Sequence, residues 1–140
     1  MNAEEMWKAS KLRGEYEAWA FGGAPDKLAD LVLRGIKTGT CSSYDLYQAE
    51  GEPIPHVGEY SVILNSRDEA VCIIQTTKIS IAPFSKATPE HAFKEGEGDR
   101  SLAYWIDVHR EFFTEELQTI GKPFDESILL VYEEFEVVYR

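Results

Sequence analysis

Residues 60–64 and 70–79 constrain the fold of this chain more than any other feature. Tyr60-Ser61-Val62-Ile63-Leu64 and the stretch from Ala70 to Ile79 are separated only by the polar turn Asn65-Ser66-Arg67-Asp68-Glu69. Two β-rich segments joined this closely form an antiparallel hairpin, because a parallel pair needs a crossover of a dozen or more residues. The second segment is β-branched and apolar on both faces at its start, as a central strand is, and Pro83 closes it. A third segment opens with the buried run Ile128–Tyr132 and then alternates, with Phe135, Val137 and Tyr139 opposite Glu134 and Glu136. All three are expected in one curved, mostly antiparallel sheet whose apolar faces need helices or further strands over them.

Helical spacing supplies that cover. Residues 2–22 read as one helix with Leu12, Tyr16, Trp19 and Ala20 on a stripe, stopped by Gly22-Gly23. Pro25-Asp26 opens a second, carrying Leu28, Leu31 and Val32, and Gly35 lets the chain leave it at positive φ. Ser42-Ser43 caps a short helix through Tyr44, Leu46 and Tyr47, ended by Gly51. Glu52-Pro53-Ile54-Pro55 is extended, because each proline pushes its predecessor out of the α region. Thr88-Pro89 starts a short helix to about Lys94. After the loop Glu95-Gly96-Glu97-Gly98-Asp99, a longer helix carries Leu102, Trp105, Ile106, His109, Phe112 and Phe113, with Asp99 as its expected N-cap. Helices grouped around strands without βαβ alternation predict a single α+β domain over residues 1–140, with an N-terminal helical extension at about 1–24.

Composition limits what such a domain does. Its 44% apolar and 12% aromatic content belongs to a folded chain. No run approaches a membrane span, the longest being Ile128–Tyr132. The acidic start Met1-Asn2-Ala3-Glu4-Glu5 lacks the basic and apolar regions of a secretory leader, so cytoplasmic residence is expected. The net charge of −11, with 14 Lys+Arg against 25 Asp+Glu and no basic cluster, disfavours extended duplex nucleic acid. A single base, a nucleoside or a short single strand remains compatible. Cys41 and Cys72 match no zinc spacing, and both read as packing thiols.

The chemistry-bearing residues cluster at two places. Gly35-Ile36-Lys37-Thr38-Gly39-Thr40 exposes an ammonium and two hydroxyls on connecting chain just after a helix. Some 55 residues later comes the acidic loop Glu95–Asp99. A lysine fixes an oxyanion or phosphate, a threonine hydroxyl attacks once its proton is accepted, and a carboxylate accepts it. Lys37, Thr40 and Glu95 are therefore a sufficient set for hydrolysing an amide or a phosphodiester. If the segment is extended, Lys37 and Thr40 point to opposite faces, and a bend at Gly39 must bring them together.

The G-x-K-x-x-T run, the block Pro55-His56-Val57-Gly58-Glu59-Tyr60 with its following strand, and the acidic loop before Leu102, Trp105, His109 and Phe112-Phe113 together resemble the longer bacterial subgroup of the ASCH family, over roughly residues 25–139. The resemblance implies a PUA-like, partly open small β-barrel with covering helices. It also implies two activities. One ASCH branch hydrolyses an amide of acetylated cytidine with a Lys-x-x-Thr pair and a downstream glutamate, onto which Lys37, Thr40 and Glu95 map. Another ASCH protein is a ribonuclease on single-stranded RNA.

The expected function is thus recognition of a nucleobase, as a modified nucleoside or in short single-stranded RNA, with hydrolysis. The alternative is a non-catalytic RNA- or nucleotide-binding regulatory module. Thr38, Ser42, Tyr44, Trp105 and His109 are the candidate ligand contacts, with Tyr44 the preferred aromatic. Plain structural readings stand beside each: Lys37 as a solvated lysine after a helix, Thr38 and Thr40 as strand residues, and Glu95 and Glu97 as solvated charge. Trp105 and His109 likewise fit an apolar stripe. No cofactor and no metal site is indicated; a divalent cation on the carboxylate pair Glu95 and Glu97 is the minority reading, since these two alone offer too few oxygens for a hard cation. Replacing Lys37 or Glu95 is expected to abolish ligand binding while changing the melting temperature little.

Overall fold

The structure, a computed structural model, describes residues 1–140. Five strands and five helices follow the order α1 (Ala3–Ser10), β1 (Tyr16–Ala20), α2 (Pro25–Leu33), β2 (Gly39–Ser43), α3 (Tyr44–Glu50), β3 (Tyr60–Leu64), β4 (Ala70–Pro83), α4 (Pro89–Glu95), α5 (Leu102–Gln118) and β5 (Leu129–Tyr139), with a 3-10 turn at Phe84–Lys86. The strands form one sheet in the order β1-β3-β4-β5-β2. The β3–β4 hairpin and the β4–β5 and β5–β2 pairs are antiparallel, while β1 adds to β3 in parallel. β4 runs 14 residues and carries register shifts at Ile73/Ile74 and Thr76/Lys78, where bulges bend a strand and raise its twist. The sheet curls into a half-barrel whose unpaired edges are β1 and β2.

Helices cover both faces of the hairpin. Met6 of α1 packs on Val62 and Ile73, while Leu28, Ala29 and Val32 of α2 pack on Ile63, Cys72 and Ile74 from the other side. α4 and α5 close the remaining half through Ala92, Trp105, Phe113 and Leu117 against Leu130 and Tyr132. Cys72 is fully buried, as its place in an apolar strand predicts.

Four local expectations differ from what the chain does. The single helix over 2–22 is instead α1 followed by strand β1. Lys11 turns left-handed at the end of α1 (φ 61), Gly14 follows at φ 107, and Tyr16–Ala20 finds Tyr60–Leu64 as a pairing partner. The helical extension at 1–24 is therefore partly a sheet edge; a five-residue segment with both periodicities goes where tertiary hydrogen bonds are available. Ser101, not Asp99, caps α5, its hydroxyl accepting from the Tyr104 N–H, while Asp99 accepts from the Ser101 N–H. Ser43 occupies the N-cap position of α3 without capping it, and its Oγ is buried with no hydrogen-bond partner. Phe112, placed by spacing on the buried stripe, is 36% exposed.

Candidate functional site

Three backbone features carry the lysine into the protein. Gly35 takes φ +73 after α2, and the Ile36 and Lys37 N–H groups both donate to the Leu31 carbonyl. Thr38 then ties two elements together, its N–H donating to Lys94 O at 2.7 Å and its carbonyl accepting from the Phe135 N–H at 3.0 Å. Gly96 ends α4 at φ +76, and a Cβ there would lie 2.6 Å from the Ile36 carbonyl oxygen. Only glycine permits this approach, which presses the loop after α4 onto the segment bearing Lys37. Arg100 reinforces it by donating to Ile36 O and Phe93 O while stacking on the Phe93 ring.

Lys37 is consequently 2% exposed rather than solvated. Its ammonium donates to Glu95 O at 3.3 Å, Glu95 Oε1 at 3.4 Å and Glu97 Oε2 at 3.4 Å, and lies 5.3 Å from the Phe21 ring centre. Glu95, the last residue of α4, is 4% exposed. Trp105 Nε1 donates to its Oε2 at 2.7 Å, and His109 Nε2 stands 3.5 Å from its Oε1. His109 stacks on Trp105 at 4.3 Å, with Nδ1 2.9 Å from the Trp105 carbonyl. Burial alone would raise the Glu95 pKa. The Lys37 charge, His109 and the Trp105 hydrogen bond outweigh it and bring the value down to about 2. Burial likewise works against the charged form of His109, but the hydrogen bond and charge of Glu95 leave its pKa raised. Burial, then the neighbouring Glu95 carboxylate, keep the Cys41 thiol protonated far above its ordinary range.

A cavity of about 270 Å³ opens onto this cluster, walled by Lys37, Thr40, Cys41, Glu95, Glu97, His109 and the apolar Phe21, Leu28 and Phe112. Lys37, Thr40 and Glu95 thus meet at one cavity. Gly39 does not supply the bend: it is the first residue of β2, packed closely enough that a Cβ would stand 3.2 Å from Glu133 O and 3.5 Å from Lys94 Cβ. Lys37 reaches the Thr40 side because it precedes the strand and is not bound to its alternation.

The other expected contacts divide. His109 lines the cavity. Trp105 is 2% exposed and acts on Glu95 instead of facing the cavity, and Thr38 contributes its backbone. Ser42 lies on a second, larger cavity of about 750 Å³ along the seam between the edge strands β1 and β2. There its Oγ shares a 2.8 Å hydrogen bond with Tyr47 Oη, so Tyr47, one turn beyond Tyr44, is the aromatic at the cavity; Tyr44 lines neither.

The second cavity adjoins the first through Phe21, Gly22, Thr40 and Cys41, and it is acidic: Glu17, Glu52, Glu59 and Glu133 line it beside Trp19 and Tyr47. Burial, then the proximity of Glu59, raises the Glu17 pKa; burial also raises that of Glu133, whose Oε2 accepts from Thr76 Oγ1 at 2.7 Å. Sequence reasoning assigns no site role to these carboxylates, nor to Glu97, read as solvated charge, Cys41, read as a packing thiol, or Phe112, read as core. Glu133 had a visible signal, a charge inside the buried run between Tyr132 and Phe135.

A half-barrel of mostly antiparallel strands, closed by helices and carrying a polar cluster at its open seam, defines a PUA-like α+β domain. The chain belongs to the ASCH domain family, whose model matches residues 17–139. The ASCH domain structure from Lactobacillus crispatus is similar at 34% identity and a TM-score of 0.90, covering 98% of this chain and 94% of that one. Protein EF3133 from Enterococcus faecalis is similar at 36% identity and a TM-score of 0.85, covering 97% of this chain and 84% of that one. No curated protein matches the sequence. No helix is long and apolar enough to cross a membrane.

Proposed function

We propose that this protein hydrolyses an acyl amide on a small nucleobase-bearing ligand, a modified nucleoside in preference to extended RNA, with Lys37, Thr40 and Glu95 as the reacting groups. The observation that carries this reading is the buried Lys37–Glu95 ion pair in the wall of a cavity shared with Thr40. Desolvating two charges is costly, so a buried pair is weak evidence of stabilisation, and titratable groups perturbed in a cleft are candidates for a functional site. The three Lys37 contacts, at 3.3–3.4 Å, are long for charge-assisted bonds, which favours an ammonium able to exchange partners.

A substrate carbonyl entering the cavity takes one hydrogen bond from Lys37, which holds the oxyanion as it forms. As that bond leaves Glu95 Oε1, the carboxylate loses its strongest stabilising charge but stays buried. Its proton affinity therefore rises when a proton must be accepted. Thr40 Oγ1 attacks the carbonyl carbon and its proton passes to Glu95, which returns it to the departing amine. Water then hydrolyses the ester on Thr40. The four glutamates of the adjoining cavity repel phosphate, while Trp19 and Tyr47 offer ring faces to a base, which supports a nucleoside over a polyanion.

The test is incubation with acylated nucleosides and with a single-stranded RNA oligomer, with products identified by mass. Deacylated nucleoside from the wild type, none from Thr40→Ala, and intact RNA are the expected results. Cleaved RNA would replace this reading with a ribonuclease. A second reading, a non-catalytic binding module, is favoured by the engagement of all three Lys37 hydrogens. It would be adopted if nucleosides raise the melting midpoint without any product.

A further inference from the structure

We propose that Cys41, Glu95 and His109 form a binding site for a borderline-soft divalent transition metal, zinc(II) being the natural occupant by ligand type, with a fourth position open to the 270 Å³ cavity. The donor atoms of these residues lie within 4.8 Å of one another, and Glu95 and His109 are buried. Thiolate, imidazole and carboxylate together suit zinc, and three protein ligands with an open position is the pattern of its reactive sites.

The histidine is set up for the task by geometry. A carbonyl oxygen can only accept, so the 2.9 Å contact between His109 Nδ1 and Trp105 O places a hydrogen on Nδ1 and leaves Nε2 as the ligating nitrogen, an incoming metal ion displacing the proton that Nε2 otherwise shares with Glu95. A backbone carbonyl on the far ring nitrogen is the usual outer partner of a metal-bound histidine. Nε2 then faces Glu95 Oε1 at 3.5 Å. Donor atoms bonded at about 2.0–2.3 Å to a tetrahedral ion stand about 3.3–3.6 Å apart, so this pair is already near ligand spacing. Cys41 Sγ, on β2, lies within 4.8 Å of both of these donor atoms. Glu95 is held for single-oxygen ligation, because Trp105 Nε1 occupies Oε2.

Lys37 does not preclude the ion. Its ammonium also has Glu95 O and Glu97 Oε2 as acceptors, and both persist when a metal takes Oε1. With the thiolate formed and His109 neutral, the charges of Lys37, Glu95, Glu97, Cys41 and a divalent ion sum to zero, so the buried cluster accepts the ion without net charge. Because the ion occupies the carboxylate oxygen used in the hydrolytic reading, the metal-loaded protein should not turn over. The binding itself does not depend on that reading.

The experiment is titration of chelator-treated protein with cobalt(II), followed by displacement with zinc(II). Expected are one equivalent of cobalt, a near-ultraviolet thiolate-to-cobalt charge-transfer band, and loss of that band on adding zinc. Cys41→Ser should remove the band, and His109→Gln should weaken cobalt binding at least tenfold. Cys72→Ala, which removes the other thiol, should leave the band unchanged. Circular dichroism checks that each variant is folded. Absence of the band from folded wild type, its survival in Cys41→Ser, or its loss in Cys72→Ala alone would overturn the proposal. An unfolded His109→Gln variant would leave the Cys41 and Cys72 comparison to decide.

Discussion

Lys37 and Glu95 are buried together, each the other's nearest fully buried charge partner. The lysine is 2% and the glutamate 4% exposed, so removing one partner leaves the other buried with Glu97 alone facing Lys37, or with Trp105 and His109 alone facing Glu95. Lys37→Ala and Glu95→Gln are each expected to cost up to about 3–5 kcal/mol in urea melts, in place of the small change in melting temperature expected from the sequence. The double variant Lys37→Met with Glu95→Gln should recover much of that loss, and it is the form in which to show that turnover needs the pair. Acid acts on the same residues. The Glu95 value is lowered in the folded state from 4.5 to about 2, so its stabilisation is complete above about pH 4.5 and is lost as pH falls toward 2. The His109 value is raised above 6.5, so its contribution is complete below about pH 6.5 and disappears as pH rises through the folded value. A denaturant midpoint measured against pH should therefore fall on both sides, and the alkaline fall should be absent in His109→Gln. Ser43 offers the opposite case. Its buried, unpartnered hydroxyl means that Ser43→Ala should stabilise the protein by about 1 kcal/mol in the same melts.

The elements that make the site are the ends of helices rather than their faces. α2 ends at Gly35 and delivers Lys37; α4 ends at Glu95 and Gly96 and delivers the carboxylates. α5 lays Trp105 and His109 against them one turn apart. The junction depends on Gly96, where φ is +76 and an added methyl would meet the Ile36 carbonyl at 2.6 Å. Gly96→Ala should cost well over the ~1 kcal/mol of an ordinary left-handed alanine, because backbone must move, and the displaced loop should carry Glu95 and Glu97 away from Lys37. Thermal melting would register the first effect. A loss of ligand or cobalt affinity in the protein that remains folded would register the second.

Across the whole molecule, the charge of −11 is not spread evenly. Glu17, Glu52, Glu59 and Glu133 face the seam cavity next to the only buried lysine, so a ligand with phosphates meets repulsion before it meets Lys37. Glu17→Gln with Glu59→Gln should raise the affinity for a mononucleotide at least tenfold relative to the corresponding nucleoside at low salt, and the gain should shrink as salt screens the remaining carboxylates. Calorimetry on the two ligands measures this. An unchanged ratio would mean that phosphates bypass the acidic cavity.

What the sequence determined by itself is what local periodicity and backbone chemistry control. The hairpin at 60–83, the final strand, the start of α2 at Pro25, the cap at Thr88 and the exit at Gly35 follow from alternation, proline, hydroxyl caps and glycine acting over a few residues. The tertiary structure decided everything that depends on partners far apart in the chain. Tyr16–Ala20 became a strand because β3 offered an edge. Lys37 became buried because Gly96 let a loop 58 residues away close over it. Cys41, Glu95 and His109 converged although no spacing connects them. Burial and Coulomb terms act through space, and along a sequence those distances are not written.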